Sequence, residues 1–108
     1  MHIQIVNFHL ANLSDGRFRE ACDELAPAFA DVPGLVSKVW LANPDTNTYG
    51  GVYTWSSREA MAEYLRGDLF AAVAANPSFT DITSTDFEVL EGPTGVTRGL
   101  AASRAGAV

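Results

Sequence analysis

Two polar side chains interrupt an apolar segment at the start of the chain. Asn7 and His9 belong to residues 2–10, whose β-branched and aromatic residues predict a strand. Their spacing places both side chains on one face of that strand. A buried amide needs a hydrogen-bond partner and imidazole titrates near neutral pH, so one interpretation is a ligand-orienting Asn7 beside a general base, His9. The other is that both lie at a strand end and bind water or backbone.

Aromatic residues in the rest of the chain could form the walls of a pocket. Trp40 shares a predicted strand face with Lys38, and Tyr53 shares a face of the next strand with Trp55. Such rings suit a flat polycyclic ligand, which indole N–H and phenol O–H groups can orient. Ordinary core packing is the alternative for each ring. The predicted substrate-binding residues are Trp40, Lys38, Tyr53, Trp55, Tyr64, Phe70 and Asp86.

Two charged residues in this set have an alternative role at the surface. Lys38 is either a surface lysine with a buried stem or a cation that stabilises a phenolate or enolate. Asp86 alternates with Phe87 on the last predicted strand. Its carboxylate belongs to a solvated strand face or, if the other face is the exposed one, enters the interior as a candidate base.

The sequence contains no motif for a metal or an organic cofactor. Gly50-Gly51 is not followed by the helix and lysine of a phosphate-binding loop. His2 and His9 should point to opposite faces of one strand, and with the single cysteine, Cys22, they do not form a usual zinc set. We therefore expect neither a metal nor a cofactor.

Hydrophobic periodicity predicts seven elements in the order β-α-β-β-α-α-β. They are a strand over 2–10, a helix from Ser14 or Asp15 to Pro33-Gly34, strands over 35–41 and 50–55, a helix capped by Ser56 that ends near Gly67, a short helix that ends at Asn76-Pro77, and a strand over 79–90. Pro27 predicts a kink or a late break in the first helix. This order is the α+β, ferredoxin-like split βαβ fold with a four-stranded antiparallel sheet.

A sheet of this kind carries helices on one face only, so its other face needs a cover. Both faces of the predicted strands carry bulky side chains, such as Val6 against Ile5 and Val39 against Trp40. We therefore expect a homodimer in which two sheets pack face to face, the alternative being a monomer with a partly hydrated face. Residues 1–92 should form the domain, and residues 93–108 a C-terminal arm or flexible tail.

Four short segments carry a likeness to a known family. They are 33–40 (PGLVSKVW), 50–53 (GGVY), 60–65 (AMAEYL) and 86–89 (DFEV), within a similarity that spans roughly residues 3–90. In order and spacing they resemble the YdhR-like family of the dimeric α+β barrel superfamily. The resemblance implies such a barrel, and its members are often labelled monooxygenases, similar to small enzymes that oxidise polycyclic phenols and quinols without metal or flavin. A likeness at this level concerns the fold more than the reaction.

These observations predict a cofactor-independent monooxygenase that acts on an aromatic or polyketide-like small molecule in an apolar barrel pocket. A cyclase or isomerase of the same fold would use the same residues. A non-catalytic protein that binds a hydrophobic metabolite would need only the pocket walls. Haem chemistry is disfavoured, because the haem-degrading relatives use a helix histidine and residues 56–76 contain none.

Charge and composition restrict the partners. The net charge of −6 repels phosphate backbones, so nucleic acid is not expected. No apolar segment is long enough for a membrane helix, and the first residues lack the pattern of a signal peptide. With its single cysteine, the chain is expected to be cytoplasmic.

Overall fold

A computed structural model of the chain describes residues 1–100; residues 101–108, the second half of the predicted arm, lie outside the described part. The elements are β1 (His2–Leu10), α1 (Asp15–Ala30), β2 (Leu35–Asn43), β3 (Thr48–Trp55), α2 (Arg58–Arg66), α3 (Asp68–Ala75), β4 (Phe79–Glu88) and α4 (Glu91–Val96). The four-stranded sheet has the order β2-β3-β1-β4 with antiparallel neighbours. The predicted α+β fold with ferredoxin-like order is confirmed. Helix α4 was not predicted, because its sequence EGPTGV has no apolar periodicity.

The two faces of the sheet differ in their cover. Along β1, His2, Gln4, Val6 and Phe8 are buried, while the alternating residues are only partly buried. Val6 and Phe8 belong to one core with side chains of α1 and α2, so both helices lie on the same face.

The opposite face is apolar and open. Ile3 of β1 is opposite Phe87 of β4, and Val39 of β2 is opposite Val52 of β3. Val39 is 58% exposed and Phe87 is 56% exposed. The single chain therefore leaves a sheet face that an apolar surface could cover.

Helix α1 begins and ends close to the predicted residues. The Ser14 hydroxyl accepts a hydrogen bond from the backbone N–H of Arg17 at 3.2 Å, which satisfies one free donor of the first turn. The helix continues through Pro27 to Ala30. The missing proline N–H therefore does not end the helix at that residue.

The predicted cap of α2 is wrong by one residue. Ser57 is the cap, and its hydroxyl accepts a hydrogen bond from the backbone N–H of Ala60 at 3.1 Å. Ser56 is instead held by its own backbone N–H, which donates to the Gly34 carbonyl at 2.8 Å. Because this bond continues the strand pairing beyond β3, the helix cannot begin until one residue later.

Gly50 permits a close approach between β3 and β1. It lies opposite Asn7 with a φ of 153°, a conformation that L side chains rarely adopt. A Cβ atom at this position would lie 1.8 Å from the Val6 carbonyl oxygen. The backbone of two central strands would have to separate to admit it.

We predict that Gly50→Ala destabilises the protein by about 3 kcal/mol or more, because the clash is with backbone. The matched control is Gly16→Ala in α1, where no atom lies within 4 Å of the added Cβ. This control should change stability by less than about 1 kcal/mol and in the stabilising direction. Urea unfolding of both variants measures the difference, and equal midpoints would refute the close-approach account.

Candidate functional site

An aromatic layer between the sheet and the helices contains several of the predicted site residues. Tyr53 stacks on Trp55 with ring centroids 5.9 Å apart, and Tyr64 of α2 lies 5.6 Å from Tyr53 and 5.2 Å from Trp55. Phe70 of α3 packs on the edge of Tyr64 at 5.6 Å. Trp55 is fully buried and Tyr64 nearly so. Trp55, Tyr64 and Phe70 are therefore core residues that support the site from behind rather than line it.

Trp55 also anchors a polar network at one end of this layer. Its indole N–H donates to the Gln4 amide oxygen at 3.0 Å, and the Gln4 amide N–H donates to the Ser84 hydroxyl at 2.9 Å. Asp86 lies on the same face, where its carboxylate is 2.6 Å from Nε2 of His2. Asp86 thus lies on the helix side of the sheet but is 40% exposed. Its partner is His2, and it does not line the central cavity.

A small cavity lies between α1 and the sheet. Its volume is about 40 Å³, which holds a few water molecules. The lining residues are almost all apolar: Phe8, Phe18, Ala21, Cys22, Leu25, Phe29, Lys38, Trp40, Gly50, Tyr53, Val73 and Phe79. Lys38 is the one charged side chain among them.

Lys38 is held by aromatic faces. Its Nζ lies 3.4 Å from the ring centroid of Phe29, 3.4 Å from that of Trp40 and 4.7 Å from that of Tyr53. Within residues 1–100 no carboxylate lies within ion-pair distance of it. The structure thus brings the predicted neighbours Lys38, Trp40 and Tyr53 together, with Lys38 partly buried, and the role of Lys38 stays a prediction.

The surroundings of Lys38 favour its neutral amine. Burial lowers the pKa of Lys38 from 10.5 to about 7, because the ammonium loses hydration, and the Cys22 sulfur opposes this shift. The three rings also attract the ammonium, with about 0.5–2 kcal/mol per contact. The pKa of Lys38 nevertheless remains below its ordinary value, because no carboxylate of the described residues replaces the lost water.

The other titratable groups that line the cavity keep their protons. Burial raises the pKa of Tyr53 far above its ordinary value, and the Tyr53 hydroxyl lies 3.5 Å from that of Tyr64. Burial likewise raises the pKa of the Cys22 thiol. At neutral pH both are donors, and Lys38 is the group able to accept a proton.

Trp40 lines the cavity and two outer grooves. It shares one groove, of about 510 Å³, with Phe18 and Cys22, and a second groove, of about 270 Å³, with Phe29 and Lys38. Trp40 is thus the residue that the cavity and both grooves have in common.

Asn7 and His9 lie on the other face of the sheet. The Asn7 amide N–H donates to the Tyr49 carbonyl at 3.4 Å, and Nδ1 of the half-exposed His9 lies 3.1 Å from the Asp81 carboxylate. They share a face, as their spacing predicts, but neither lines the cavity. The structure therefore does not unite them with the predicted aromatic walls, and their catalytic role stays a prediction.

Sequence reasoning missed most of the lining contributed by helices. Phe18, Leu25 and Phe29 of α1 and Val73 of α3 line the cavity, yet their spacing identified them only as the apolar stripes of helices. Periodicity shows which residues face inward, but not where packing leaves a space.

Among residues 1–100 no group of three or more His, Cys, Asp or Glu side chains is arranged to hold a metal ion. No helix of the described part has the length and apolar character needed to cross a membrane.

Solved structures share this fold. The haem degrader MhuD from Mycobacterium tuberculosis, solved with two haems in its active site, is 24% identical, with 83% of this chain and 96% of that chain covered and a TM-score of 0.67. SnoaB, a cofactor-independent oxygenase from Streptomyces nogalater, is 21% identical, with 82% of this chain and 92% of that chain covered and a TM-score of 0.63. A protein described as a "putative antibiotic biosynthesis monooxygenase" from Deinococcus radiodurans is 17% identical, with 82% of this chain and 92% of that chain covered and a TM-score of 0.67. At these identities the likeness concerns the fold alone.

The chain is a ferredoxin-like α+β domain, the fold that these solved structures share. Residues 3–100 match the family described as "Putative mono-oxygenase ydhR", and the chain belongs to this family. The match confirms the resemblance found in the sequence and extends it from residue 90 to residue 100. No curated protein matches the chain.

We predict that Lys38→Met stabilises the protein at pH 6 by about 1–3 kcal/mol. The pKa of Lys38 is about 7 in the folded chain and 10.5 ordinarily, so the unfolded chain binds more protons between these values. Wild-type stability should therefore rise as pH rises from 7 towards 10.5, and the advantage of the variant should shrink over the same range. Urea unfolding at pH 6 and pH 9 tests this.

The matched control is Lys38→Arg, which keeps a cation that does not titrate in this range. This variant should lose the rise in stability above pH 7. A Lys38→Met variant that is less stable than wild type at pH 6 would show that attraction by the rings exceeds the cost of dehydration.

Proposed function

We propose that this protein is a monooxygenase that acts, without a metal or flavin, on a flat phenol, quinol or polyketide-like molecule bound at Lys38. The observation that carries this proposal is a lysine amine with a pKa of about 7 inside an apolar, aromatic cavity. Such an amine is matched to the removal of a proton from an acidic O–H or C–H group at neutral pH.

Proton transfer to Lys38 would create charges of opposite sign side by side. The substrate becomes a phenolate or enolate, and the ammonium at Nζ stabilises it in surroundings with little water. An electron-rich anion of this kind can reduce O₂. In the reaction that converts a methylene flanked by rings into a carbonyl, one atom of O₂ enters the product and the other leaves as water. The substrate supplies all four electrons for this reduction of O₂.

Substrate entry requires a rearrangement of the cavity wall. A volume of about 40 Å³ is too small for a polycyclic molecule, whereas the two adjoining grooves have about 510 and 270 Å³. Displacement of the Trp40 indole would let a ring enter between Phe29 and Tyr53. The donors nearest to such a ring would be the Tyr53 hydroxyl and the Trp40 indole N–H.

The family and one neighbour support an oxygenase over the other interpretations. The family description names a mono-oxygenase, and SnoaB is described as a cofactor-independent oxygenase of the same fold. Haem fits the residues less well, since neither histidine of the chain lines the cavity and no histidine lies in α1, α2 or α3.

We predict that metal-stripped protein increases oxygen uptake by one or more members of a panel of quinols and anthrone-like compounds. Lys38→Met should lower kcat/KM by about 100-fold or more, because the base is lost. Lys38→Arg should be equally poor, because a guanidinium keeps the charge but accepts no proton. In wild type, kcat/KM should rise with pH through about 7.

Asn7→Ala and His9→Ala provide the controls and should leave uptake nearly unchanged, because both residues lie on the other face of the sheet. Loss of uptake in His9→Ala, with Lys38→Met active, would return the role of base to His9. A rearranged product of unchanged mass would instead identify a cyclase or isomerase. Binding without turnover across the panel would identify a binding protein for a hydrophobic metabolite.

We also propose that the open face of the sheet is covered by a second copy of the chain, as in a dimeric α+β barrel. The support is the apolar character of this face, which includes Ile3, Val39, Val52 and Phe87. A face of this composition is unusual on a soluble monomer.

We predict that Val39→Asp weakens self-association at least tenfold, since an unpaired carboxylate would be buried between the sheets. Ala28→Asp on the exposed side of α1 is the matched control and should leave association unchanged. Sedimentation velocity at several concentrations gives the masses. A wild-type protein that stays monomeric at all of them would contradict this proposal.

A further inference from the structure

Lys38 has a second chemical property that proton transfer does not use. It is the sole lysine of the 108-residue chain, so the only other primary amine is the amino group of Met1. The Met1 amino group lies 3.3 Å from the Glu91 carboxylate at the surface. The two amines therefore lie in opposite surroundings. The Met1 amine pairs with a carboxylate at the surface, whereas the Lys38 amine lies against aromatic rings and has no carboxylate partner within residues 1–100.

We propose that Lys38 is a covalent site for aromatic aldehydes and ketones, which it captures as a reversible imine from the adjoining groove of about 270 Å³. The geometry supports this assignment in two ways. Nζ lies against the faces of Phe29, Trp40 and Tyr53, the surfaces on which an aromatic carbonyl compound would stack. Lys38 also lines both the inner cavity and the groove of about 270 Å³.

Imine formation between Lys38 and a carbonyl compound needs neither an oxidant nor a metal. The Nζ lone pair attacks the carbonyl carbon, an N–C bond forms, and a proton moves from nitrogen to oxygen to give a carbinolamine. A neighbouring donor then gives a proton to the hydroxyl, the C–O bond breaks and water leaves. The nitrogen returns its remaining proton to that donor, so the neutral imine remains, and hydrolysis reverses each step. This sequence requires a neutral amine, which the burial of Lys38 makes available near pH 7.

Proton donors are available for the loss of water. The titratable groups that face Lys38 are the Cys22 thiol of α1 and the Tyr53 phenol of β3, with Tyr64 of α2 behind Tyr53. All three have a raised pKa because of burial and remain protonated near pH 7. The apolar walls limit the water that would hydrolyse the imine.

This inference is independent of the proposed oxygenase reaction, because imine formation consumes no O₂. It is therefore tested under anaerobic conditions with a carbonyl compound that is not an oxygenase substrate. A failure of oxygen uptake would leave the carbonyl site intact. Fast reaction of Lys38 with formaldehyde but not with benzaldehyde would exclude the site for aromatic carbonyl compounds and leave the role of Lys38 as a base intact.

The experiment incubates the full chain with benzaldehyde and cyanoborohydride at pH 7, so that any imine is reduced to a stable secondary amine. Peptide mass mapping then separates the label on Lys38 from that on the Met1 amino group. We expect folded protein to be labelled at Lys38 roughly tenfold faster, or more, than protein unfolded in urea, because an ordinary lysine is almost fully protonated at this pH. Label on Met1 serves as the internal reference.

The controls separate the specific site from general amine reactivity. Lys38→Arg should be labelled on Met1 alone, and folded wild type should be labelled faster at pH 7.5 than at pH 6. If Lys38 is labelled no faster in the folded chain than in the unfolded chain, the proposal is overturned, and this comparison needs no variant. Reaction with formaldehyde but not with benzaldehyde would also overturn it, since the site would then not be one for aromatic compounds.

Discussion

The packing of α1 across the sheet is the interaction on which the rest of the structure depends. Near its beginning, Phe18 lies 4.9 Å from Tyr49 and 5.8 Å from Phe8, measured between ring centroids. Near its end, Phe29 lies 5.3 Å from Trp40. These contacts stabilise the core at both ends of the helix and leave the small cavity between them. Phe29 is also one of the three rings that surround the Lys38 ammonium.

A hydrogen bond strengthens the same packing at the start of α1. The Tyr49 hydroxyl donates to the Asp15 carboxylate at 2.7 Å, and the Arg19 guanidinium donates to its other oxygen at 2.7 Å. Both bonds hold the pKa of Asp15 below its ordinary value. The pair is largely exposed, so its effect lies in the orientation of the helix more than in stability.

The cavity contrasts with the polar network at the other end of the same layer. There Gln4 is fully buried, and its amide is hydrogen-bonded to Trp55 and Ser84. Among the described residues no fully buried side-chain nitrogen or oxygen lacks a hydrogen-bond partner. Lys38, in contrast, has aromatic faces where a carboxylate would be expected. A site that gives up stability in this way is typical of function, because a simple core position would be better filled by an apolar residue.

The sequence by itself determined the order of the elements and which residues of each strand share a face. Alternation assigns Asn7 and His9 to one face of β1, Lys38 and Trp40 to one face of β2, and Tyr53 and Trp55 to one face of β3, since side chains in strands point to opposite faces in turn. Apolar spacing likewise predicted α1 and its inner residues. These are local properties, which depend only on residues close together in the chain.

Only the tertiary structure decided which of the two faces the helices cover, and so which residues meet. Both faces of β1 are apolar enough to be buried, so alternation cannot show that the face of Val6 is the one with a cavity. The cap of α2 moved to Ser57 because Ser56 is bonded to Gly34, which is distant in the chain. The altered pKa of Lys38 has the same origin: it arises from rings on α1, β2 and β3 that long-range packing alone brings together.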